Sequence, residues 1–428
     1  MLMLGHYYIS MKKIKTIIVI FIISLSFVFG ACKVFASSII GNPLQTDGYL
    51  SVGTSDTNAK VNVYSTGEQM RLGYDSDNYN SFTTDSFGNF TIAPSSGGIW
   101  KVFNDPISPY YVAGYSGNAI IGDNKWGSAI LSGGHANDGA FGPNTINNNV
   151  LSVIVGGEGN KIDWSGPSAS GSANFIGGGA GNIIEKNPFY SVIVGGLNNK
   201  VTSSTNDGPF ADFIGGGEDN IIDSHTGSHN FIGGGKSNRI YGAGYAAIVG
   251  GLSNTAWTYS FVGGGSGNTA GGTSASYAIV GGGQNNSATA DYSMVLGGLS
   301  NTASGQYSFA SGRRAKAIHD GAFIWADSND FDFSSTIANE TAIRATGGIS
   351  FVTAIDGSGS ATKTFSVDTS GNFTIPGGLA LQTTDAKPTC DVTNRGLKWY
   401  TQSGAGVKDA LEICAKDAGD TYAWRTIY

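Results

Sequence analysis

Short pairs of apolar residues recur between residues 119 and 327, and each pair is followed by two glycines and one asparagine. In one unit the order is Phe261-Val262, Gly264-Gly265 and Asn268, and Ala270 lies two residues beyond the asparagine. Neighbouring side chains of a strand point to opposite faces, so each apolar pair directs one side chain inward and one outward. Glycine and asparagine are typical turn residues. The pattern therefore predicts short β-strands joined by tight turns and repeated many times.

The asparagine fixes the phase of the repeat. It occupies the positions Asn137, Asn160, Asn182, Asn199, Asn220, Asn238, Asn254, Asn268, Asn286 and Asn301, and Ala315 takes this position in a degenerate last unit. An aliphatic residue six positions earlier is predicted to face the interior, in a row formed by Leu131, Ile154, Ile176, Ile193, Ile214, Ile232, Ile248, Val262, Val280 and Val295. A second interior row, two positions after the asparagine, is formed by Ile162, Ile184, Val201, Ile222, Ile240, Ala256, Ala270, Ala288 and Ala303. The shortest spacing between asparagines is 14 residues, and longer spacings occur beside an unchanged motif. This predicts an all-β solenoid of coils of about 14 residues, with insertions at one place in the coil.

The residue before each interior aliphatic residue is also apolar. This outer row is formed by Ile130, Val153, Phe175, Val192, Phe213, Phe231, Ala247, Phe261, Ile279, Met294 and Phe309. Ten coils at about 4.8 Å each make a stripe roughly 50 Å long, and an exposed apolar stripe of that length indicates an interface. A second copy of the same chain is the simplest partner. The predicted interface residues are Phe175, Phe213, Phe231, Phe261, Met294 and Phe309.

The segments Tyr259-Ser-Phe-Val-Gly-Gly-Gly-Ser-Gly-Asn-Thr-Ala270 and Tyr307-Ser-Phe-Ala-Ser-Gly-Arg-Arg-Ala-Lys-Ala317 resemble the YadA-like head repeats of trimeric autotransporter adhesins and of related bacterial and phage fibres. The resemblance covers roughly residues 119–327. It implies a left-handed parallel β-roll, three such rolls packed about one axis as a homotrimer, and an attachment role without a catalytic centre. The basic cluster Arg313-Arg314-Lys316 resembles a junction between roll and neck, where it would pair across subunits. The chain lacks the heptad stalk of full autotransporters.

Small β modules are expected on both sides of the repeats. Residues 82–92 and 365–375 share one pattern, in which an Asp/Gly/Asn turn separates two apolar segments, and this predicts two similar β-hairpins. Near the end of the chain, Cys390 and Cys414 lie among several aromatic residues. They predict a disulfide that stabilises a small β module, and two separately buried thiols are the alternative. This module is either a binding knob or a cap and trimerisation unit.

The beginning of the chain predicts export. Met11 starts a secretory signal with three lysines, an apolar run at residues 16–30 and the cleavage pattern Val34-Phe35-Ala36. The apolar run is short for a membrane span. Cys32 offers a second interpretation, in which it carries a lipid after cleavage. Either interpretation gives a secreted or bacterial cell-surface protein.

Composition excludes several classes of function. The formal charge is −7 and charged residues make up 13% of the chain, so there is no basic stripe for nucleic acid. The glycine runs do not open a helix, as a phosphate-binding loop would require. Asparagine stands where calcium-binding repeats have aspartate, and hard cations favour carboxylates. We therefore expect no cofactor and no structural metal.

The insertions offer the best surface for ligand binding, because loops on a rigid scaffold commonly carry binding residues. The candidates are Trp164, Phe189, Tyr190, His225 and His229. The two histidines share one insertion near Asp223, but a transition-metal site would need a third ligand at fixed spacing. An extracellular glycan or a matrix or surface protein is the expected ligand, and decoration without function is the alternative for these loops.

The sequence predicts five parts: a signal peptide at 1–36, an N-terminal β module at 37–117, head repeats at 118–330, a β neck at 331–384 and a disulfide-linked module at 385–428. The predicted function is a non-catalytic, adhesin-like trimeric fibre. The alternatives are a secreted carbohydrate-active enzyme on a β-solenoid and a phage-derived tail fibre. No catalytic motif or repeated carboxylate pair supports an enzyme.

Overall fold

The computed structural model describes residues 67–136, 141–164, 171–186, 189–203, 210–225, 229–242, 244–375, 387–401, 406, 408 and 410–427. The predicted signal peptide, Cys32 and Asn137 lie outside these residues. Every regular element of the described chain is a β-strand. This part of the protein therefore contains no helix that could cross a membrane.

An antiparallel meander opens the described chain. Its strands are Met70–Gly73, Tyr79–Thr84, Phe90–Pro94, Gly98–Phe103 and Tyr110–Tyr115. The last strand also pairs in parallel with Ala129–Ile130, so the meander continues directly into the repeats as part of one 18-stranded sheet.

The repeats form a parallel β-solenoid of about 12 turns, with two sheets that run along its length. The first sheet continues through Ala129–Ile130, Val153–Ile154, Phe175–Ile176, Val192–Ile193, Phe213–Ile214, Phe231–Ile232, Ala247–Ile248, Phe261–Val262, Ile279–Val280, Met294–Leu299, Phe309–Arg313, Phe323–Ala326 and Thr341–Arg344. The second sheet comprises Ala119–Ile121, Thr145–Asn147, Lys161–Asp163, Ile183–Glu185, Lys200–Thr202, Ile221–Ser224, Arg239–Gly242, Thr255–Ala256, Thr269–Ala270, Ser287–Ala288, Thr302–Ala303, Ala315–Ala317 and Phe333–Ser334. An extra short pair joins Asn149–Val150 and Gly171–Ser172.

The two interior rows are confirmed from the second unit onward. Every aliphatic residue of the first row from Ile154 to Val295 is completely buried, and so is every residue of the second row from Ile162 to Ala303. The second row changes from isoleucine and valine to alanine after Ile240, so the interior narrows toward the later coils. Adjacent coils pair residue for residue, which places equivalent side chains directly above one another.

The first unit contradicts the predicted phase. Ile130 pairs with Ile154 and is completely buried, whereas Leu131 is 52% exposed. Ile130 therefore belongs to the interior row and Ala129 to the outer row, one residue earlier than predicted. The cause is an insertion at a different turn, which lies between the glycines and the asparagine of this coil. Its Phe141 lies over Gly159 and Gly181 of the following coils.

The asparagines form a buried ladder along the solenoid, and Asn144 rather than Asn137 precedes Asn160 in it. The side chain of Asn254 is typical. Its amide donates to the carbonyl oxygens of Gly250 and Gly265, both at 3.0 Å. Its Oδ1 accepts a hydrogen bond from the backbone N–H of Asn268 at 3.0 Å. Each such asparagine thus links backbone groups of successive coils and gives partners to buried turn groups such as the Asn268 N–H. Ala315 ends it by donating its N–H to Asn301 Oδ1.

The solenoid ends in a charged cluster that pairs within the chain. Arg313 contacts Asp330 at 2.9 Å, and Arg314 contacts Asp332 at 2.8 Å. Arg344 is held by Asp327 at 2.8 Å. The basic residues that the resemblance assigns to contacts between subunits therefore have acidic partners in their own chain.

Two small sheets follow the solenoid. The first contains the strands Ile349–Ile355, Ala361–Val367 and Phe373–Thr374, and the second contains Lys398–Thr401, Ala410–Lys416 and Tyr422–Thr426. The predicted disulfide between Cys390 and Cys414 is present. Cys414 is 1% exposed, so the bond fixes the segment before the sheet to its central strand.

The two predicted hairpins are also present and use the same turn. In the turn at Asp85, the carboxylate accepts hydrogen bonds from the N–H groups of Phe87 and Asn89 and from the Asn89 side chain. Asp368 makes the equivalent bonds in its own turn. These hydrogen bonds hold the pKa of both carboxyls below the usual range, with the side-chain amide of the asparagine as the largest cause.

Candidate functional site

The outer face of the first sheet is a continuous apolar surface. Each interior residue of this sheet is flanked on both sides by a residue that points outward. The exposed members include Val194 at 48%, Phe231 at 42%, Val249 at 52%, Phe261 at 39% and Leu296 at 57%. We call this surface the apolar face. Among the residues that the structure describes, the side chains of this face are half-buried to exposed.

Where a strand of this face begins with phenylalanine, the other outward position of the strand is often glycine. In the strands that begin with Phe213, Phe231 and Phe261, the next outward position is glycine. A Cβ added to Gly233 would lie 3.4 Å from the Phe231 ring, and the same holds for Gly263 and Phe261. The edge of each ring therefore lies beside the glycine of its own strand, where a larger side chain would contact it.

All six residues predicted as the interface lie on the apolar face. Along this face, two pairs of rings from adjacent coils are stacked. Phe213 and Phe231 have centroids 5.4 Å apart, and Phe309 and Phe323 have centroids 4.6 Å apart. The rings are already ordered within one chain, so association would cost little side-chain entropy.

The predicted aromatic loop residues form a small cluster. Trp164 is only 8% exposed, and its ring meets Phe189 edge-on at 6.1 Å. Phe189 also stacks on Phe210 at 5.0 Å. Tyr190 is 59% exposed beside this cluster. The cluster packs insertions of successive coils against one another, and Tyr190 is its most solvent-exposed member.

The two histidines lie in different local surroundings. His225 lies at the end of a second-sheet strand, where its N–H bonds to Gly242. His229 is exposed, and its ring stacks on Tyr245 with centroids 5.4 Å apart. No group of three or more metal-ligating side chains is found among the residues that the structure describes.

Sequence reasoning missed a ladder of stacked tyrosines on one corner of the solenoid. It runs from His229 through Tyr245, Tyr259, Tyr277 and Tyr292 to Tyr307. Adjacent tyrosine rings have centroids 4.9–5.3 Å apart and planes within 11° of parallel. The signal was readable, because each tyrosine lies three residues before an interior aliphatic residue.

The tyrosines of this ladder occupy an unusual backbone conformation. Their φ angles lie between 55° and 60°, in the left-handed region. Bulky residues rarely adopt this region, and each one costs roughly 1 kcal/mol or more there. Ring stacking offsets this cost by about 0.5–1.5 kcal/mol for each pair. Glycine would be unstrained at this position, yet tyrosine recurs there. The ring therefore has a role that outweighs the backbone strain.

A second buried polar column runs just inside the tyrosine ladder and contains one acid, Asp212. Its Oδ1 accepts a hydrogen bond from the N–H of Asn230 at 2.9 Å, and its Oδ2 accepts one from Ser224 at 2.8 Å. Burial raises the pKa of Asp212 to about 6. Other coils place asparagine, serine or alanine here, as at Asn174, Ser191 and Ala278, which carry no charge.

The outer face of the second sheet is polar in its middle coils. Ion pairs join Lys161 to Asp163 at 2.9 Å and Lys200 to Glu185 at 2.7 Å. Tyr241 and Trp257 stack there with centroids 4.9 Å apart. This face therefore differs in chemistry from the apolar face on the opposite side of the coil.

No protein-family model matches the chain, and no curated protein matches it.

Proposed function

We propose that the chain is a non-catalytic, adhesin-like fibre protein that is secreted or held at the bacterial cell surface. Three copies would pack their apolar faces around a common axis as left-handed rolls. The observation that carries this proposal is the apolar face itself, an ordered stripe roughly 50 Å long at about 4.8 Å per strand. Soluble monomers rarely expose so large a contiguous apolar surface.

Another copy of the chain suits this face because its outward side chains are apolar in coil after coil, as at Val194, Phe231 and Leu296. Parallel copies related by a rotation axis would bring equivalent apolar faces together in every coil, as expected for a closed symmetric assembly. The disulfide Cys390–Cys414 supports an oxidising location, since such bonds persist mainly outside the cytoplasm. The polar second sheet and the insertions would then face outward, where a glycan or surface protein could be bound.

The decisive measurement is the mass of residues 37–428 in solution, by light scattering during gel filtration under oxidising conditions. We expect three chains per particle. The variant Phe261→Glu places a charge on the apolar face and should yield monomers. Its control is Thr269→Glu, which puts the same charge on the outer face of the second sheet in the same coil and should remain trimeric. A monomeric parent protein, or a trimeric Phe261→Glu variant, would rule out this interface.

Attachment is tested separately, with an array of glycans and extracellular-matrix proteins. Three weak sites acting together bind on the order of a hundredfold or more tighter than one. We therefore expect the parent protein to be retained on its ligand much longer than the monomeric Phe261→Glu variant. Equal retention of the two proteins would argue against multivalent attachment.

A further inference from the structure

The tyrosine ladder brings oxidisable phenols together at the surface. The five rings from Tyr245 to Tyr307 are each 44–65% exposed, so a soluble oxidant can reach them. Each ring lies within 5.3 Å of the next, and no other group separates the pairs. Two phenols held in contact in this way satisfy the main requirement of oxidative coupling, which is proximity of the reacting carbons.

We propose that this ladder is a site of oxidative cross-linking, at which a haem peroxidase with hydrogen peroxide joins Tyr292 to Tyr307 as dityrosine. This proposal goes beyond the proposed attachment function and does not depend on it. Each tyrosine of the ladder lies two residues before an outer-row residue of the apolar face. One buried residue, such as Ser260, separates the two in the sequence.

The coupling consumes two phenols and one molecule of hydrogen peroxide and needs no other reactant. Each phenol gives up one electron and its hydroxyl proton, which leaves two phenoxyl radicals with part of their spin on the ortho carbons. These two carbons form a carbon–carbon bond, and their hydrogens move to the phenolic oxygens to restore both aromatic rings. The peroxide takes up two electrons and two protons and leaves as two water molecules. The protein loses two hydrogen atoms for each cross-link.

The structure favours the last pair of the ladder. In every other tyrosine pair of the ladder, both rings have a further ring on their outer side, which restricts the tilting that brings ortho carbons together. Tyr307 has a ring on one side only, because Gly321 occupies the next position of the column. Tyr307 is also the most exposed member, at 65%. Its partner Tyr292 lies 5.2 Å away with its plane 2° from parallel.

The register of the coils keeps the pair together. Met294 pairs with Phe309 in the first sheet, so the two tyrosines, each two residues earlier, belong to adjacent coils at one strand spacing. A cross-link here would join these coils covalently and prevent them from separating. We therefore expect the oxidised protein to melt at a higher temperature than the untreated protein.

The test treats the full chain with a haem peroxidase and hydrogen peroxide, then measures dityrosine fluorescence and maps cross-linked peptides by mass spectrometry. We expect a peptide pair joined through Tyr292 and Tyr307, with a loss of two hydrogen atoms. The chain should keep its monomer mobility on a denaturing gel, because the bond lies within one chain.

The matched variants are Tyr307→Phe and Tyr190→Phe. The first keeps a stacked ring but removes the phenol, so the dityrosine yield should fall several-fold. The second removes the phenol of an exposed tyrosine outside the ladder, whose ring lies beside Phe189, and the yield should not change. Protein unfolded in urea before oxidation should also give a lower yield, because proximity is lost.

Three results would overturn the proposal. These are an unchanged yield in Tyr307→Phe, a yield in urea as high as in the folded protein, and cross-links confined to isolated tyrosines such as Tyr74 or to bonds between chains. Absence of dityrosine from the folded parent protein would overturn it as well.

Discussion

At the scale of single residues, Asp212 is a charge at a position that other coils fill with neutral groups. Its folded pKa of about 6 lies above the ordinary value of 3.8, mainly because burial disfavours the carboxylate. A raised carboxyl pKa means that the folded state binds the proton more tightly than the unfolded state. The contribution of this group to stability is therefore greatest below about pH 4 and is lost as the pH rises through about 6.

The substitution Asp212→Asn should stabilise the protein at neutral pH. Asparagine has the same shape, and removing the buried charge recovers up to about 3 kcal/mol, the equivalent of roughly two pKa units. Urea unfolding at pH 8 and at pH 4 should show this gain only at the higher pH. A loss of stability at pH 8 would contradict the assigned cause of the raised pKa.

Paired glycines provide a second prediction at this scale. Gly283 has a φ of +89°, and an added Cβ would lie 2.2 Å from the carbonyl oxygen of Gly298 in the next coil. Gly283→Ala should therefore cost roughly 2–4 kcal/mol from backbone strain and overpacking. The neighbouring Gly282 has its nearest contact at 3.9 Å, so Gly282→Ala should change the free energy of unfolding by less than about 1 kcal/mol.

Denaturant unfolding of the two glycine variants measures this difference directly. The two variants are well matched because the glycines are adjacent and each substitution adds one methyl group. Equal losses of stability in both variants would mean that the close approach of successive coils does not determine which glycine is required.

At the scale of elements, the repeat was predictable because its motif is short and its side chains alternate. The inward rows, the outward row and the two Asp/Gly/Asn hairpins could all be read from fixed offsets. The ladder of asparagines is only partly readable from the sequence. The sequence shows where an asparagine recurs, but only the packing of coils shows that each one bonds to carbonyls of two coils at once.

The misassigned first unit shows why the remainder could not be predicted. Asn137 and Leu131 fit the motif by spacing, but an insertion at a second turn moves the true positions to Asn144 and Ile130. Insertions hide which residue closes the turn, because the motif is read from the asparagine. Trp164 illustrates a related limit. A tryptophan in an insertion suggests an exposed contact, yet three-dimensional packing places its ring against Phe189.

The disulfide yields a prediction for one element. The C-terminal sheet has only three strands, and so small a core depends on a covalent link. Cys414→Ala should cost about 2–5 kcal/mol within this module. Near-ultraviolet circular dichroism should report the loss through Trp399 and Trp424, which pack 6.3 Å apart.

The same Cys414→Ala variant should leave the solenoid unchanged, because repeat proteins are stabilised by contacts between neighbouring coils. Its far-ultraviolet melting transition therefore serves as the internal control. If the solenoid melted together with the C-terminal sheet, the two would form one cooperative unit. That result would contradict the prediction that the disulfide stabilises the C-terminal module alone.

At the scale of the whole molecule, the solenoid is a thin structure with opposite surface chemistries. Its interior is filled by two aliphatic rows, so little apolar area is buried between elements distant in sequence. The apolar face adds a third row that a single chain leaves half exposed. Association through this face would therefore contribute a large share of the total stability, as in obligate oligomers.

If the chains associate through the apolar face, the melting temperature should depend on protein concentration. Association is favoured by mass action, so the midpoint of the parent protein should rise as its concentration is increased a hundredfold. Phe261→Glu should melt at a lower temperature that does not change with concentration, whereas Thr269→Glu should behave like the parent. Differential scanning fluorimetry over a dilution series measures all three proteins under one set of conditions. A parent midpoint that stays constant across the series would mean that one chain is stable alone, and that the apolar face contributes nothing through association.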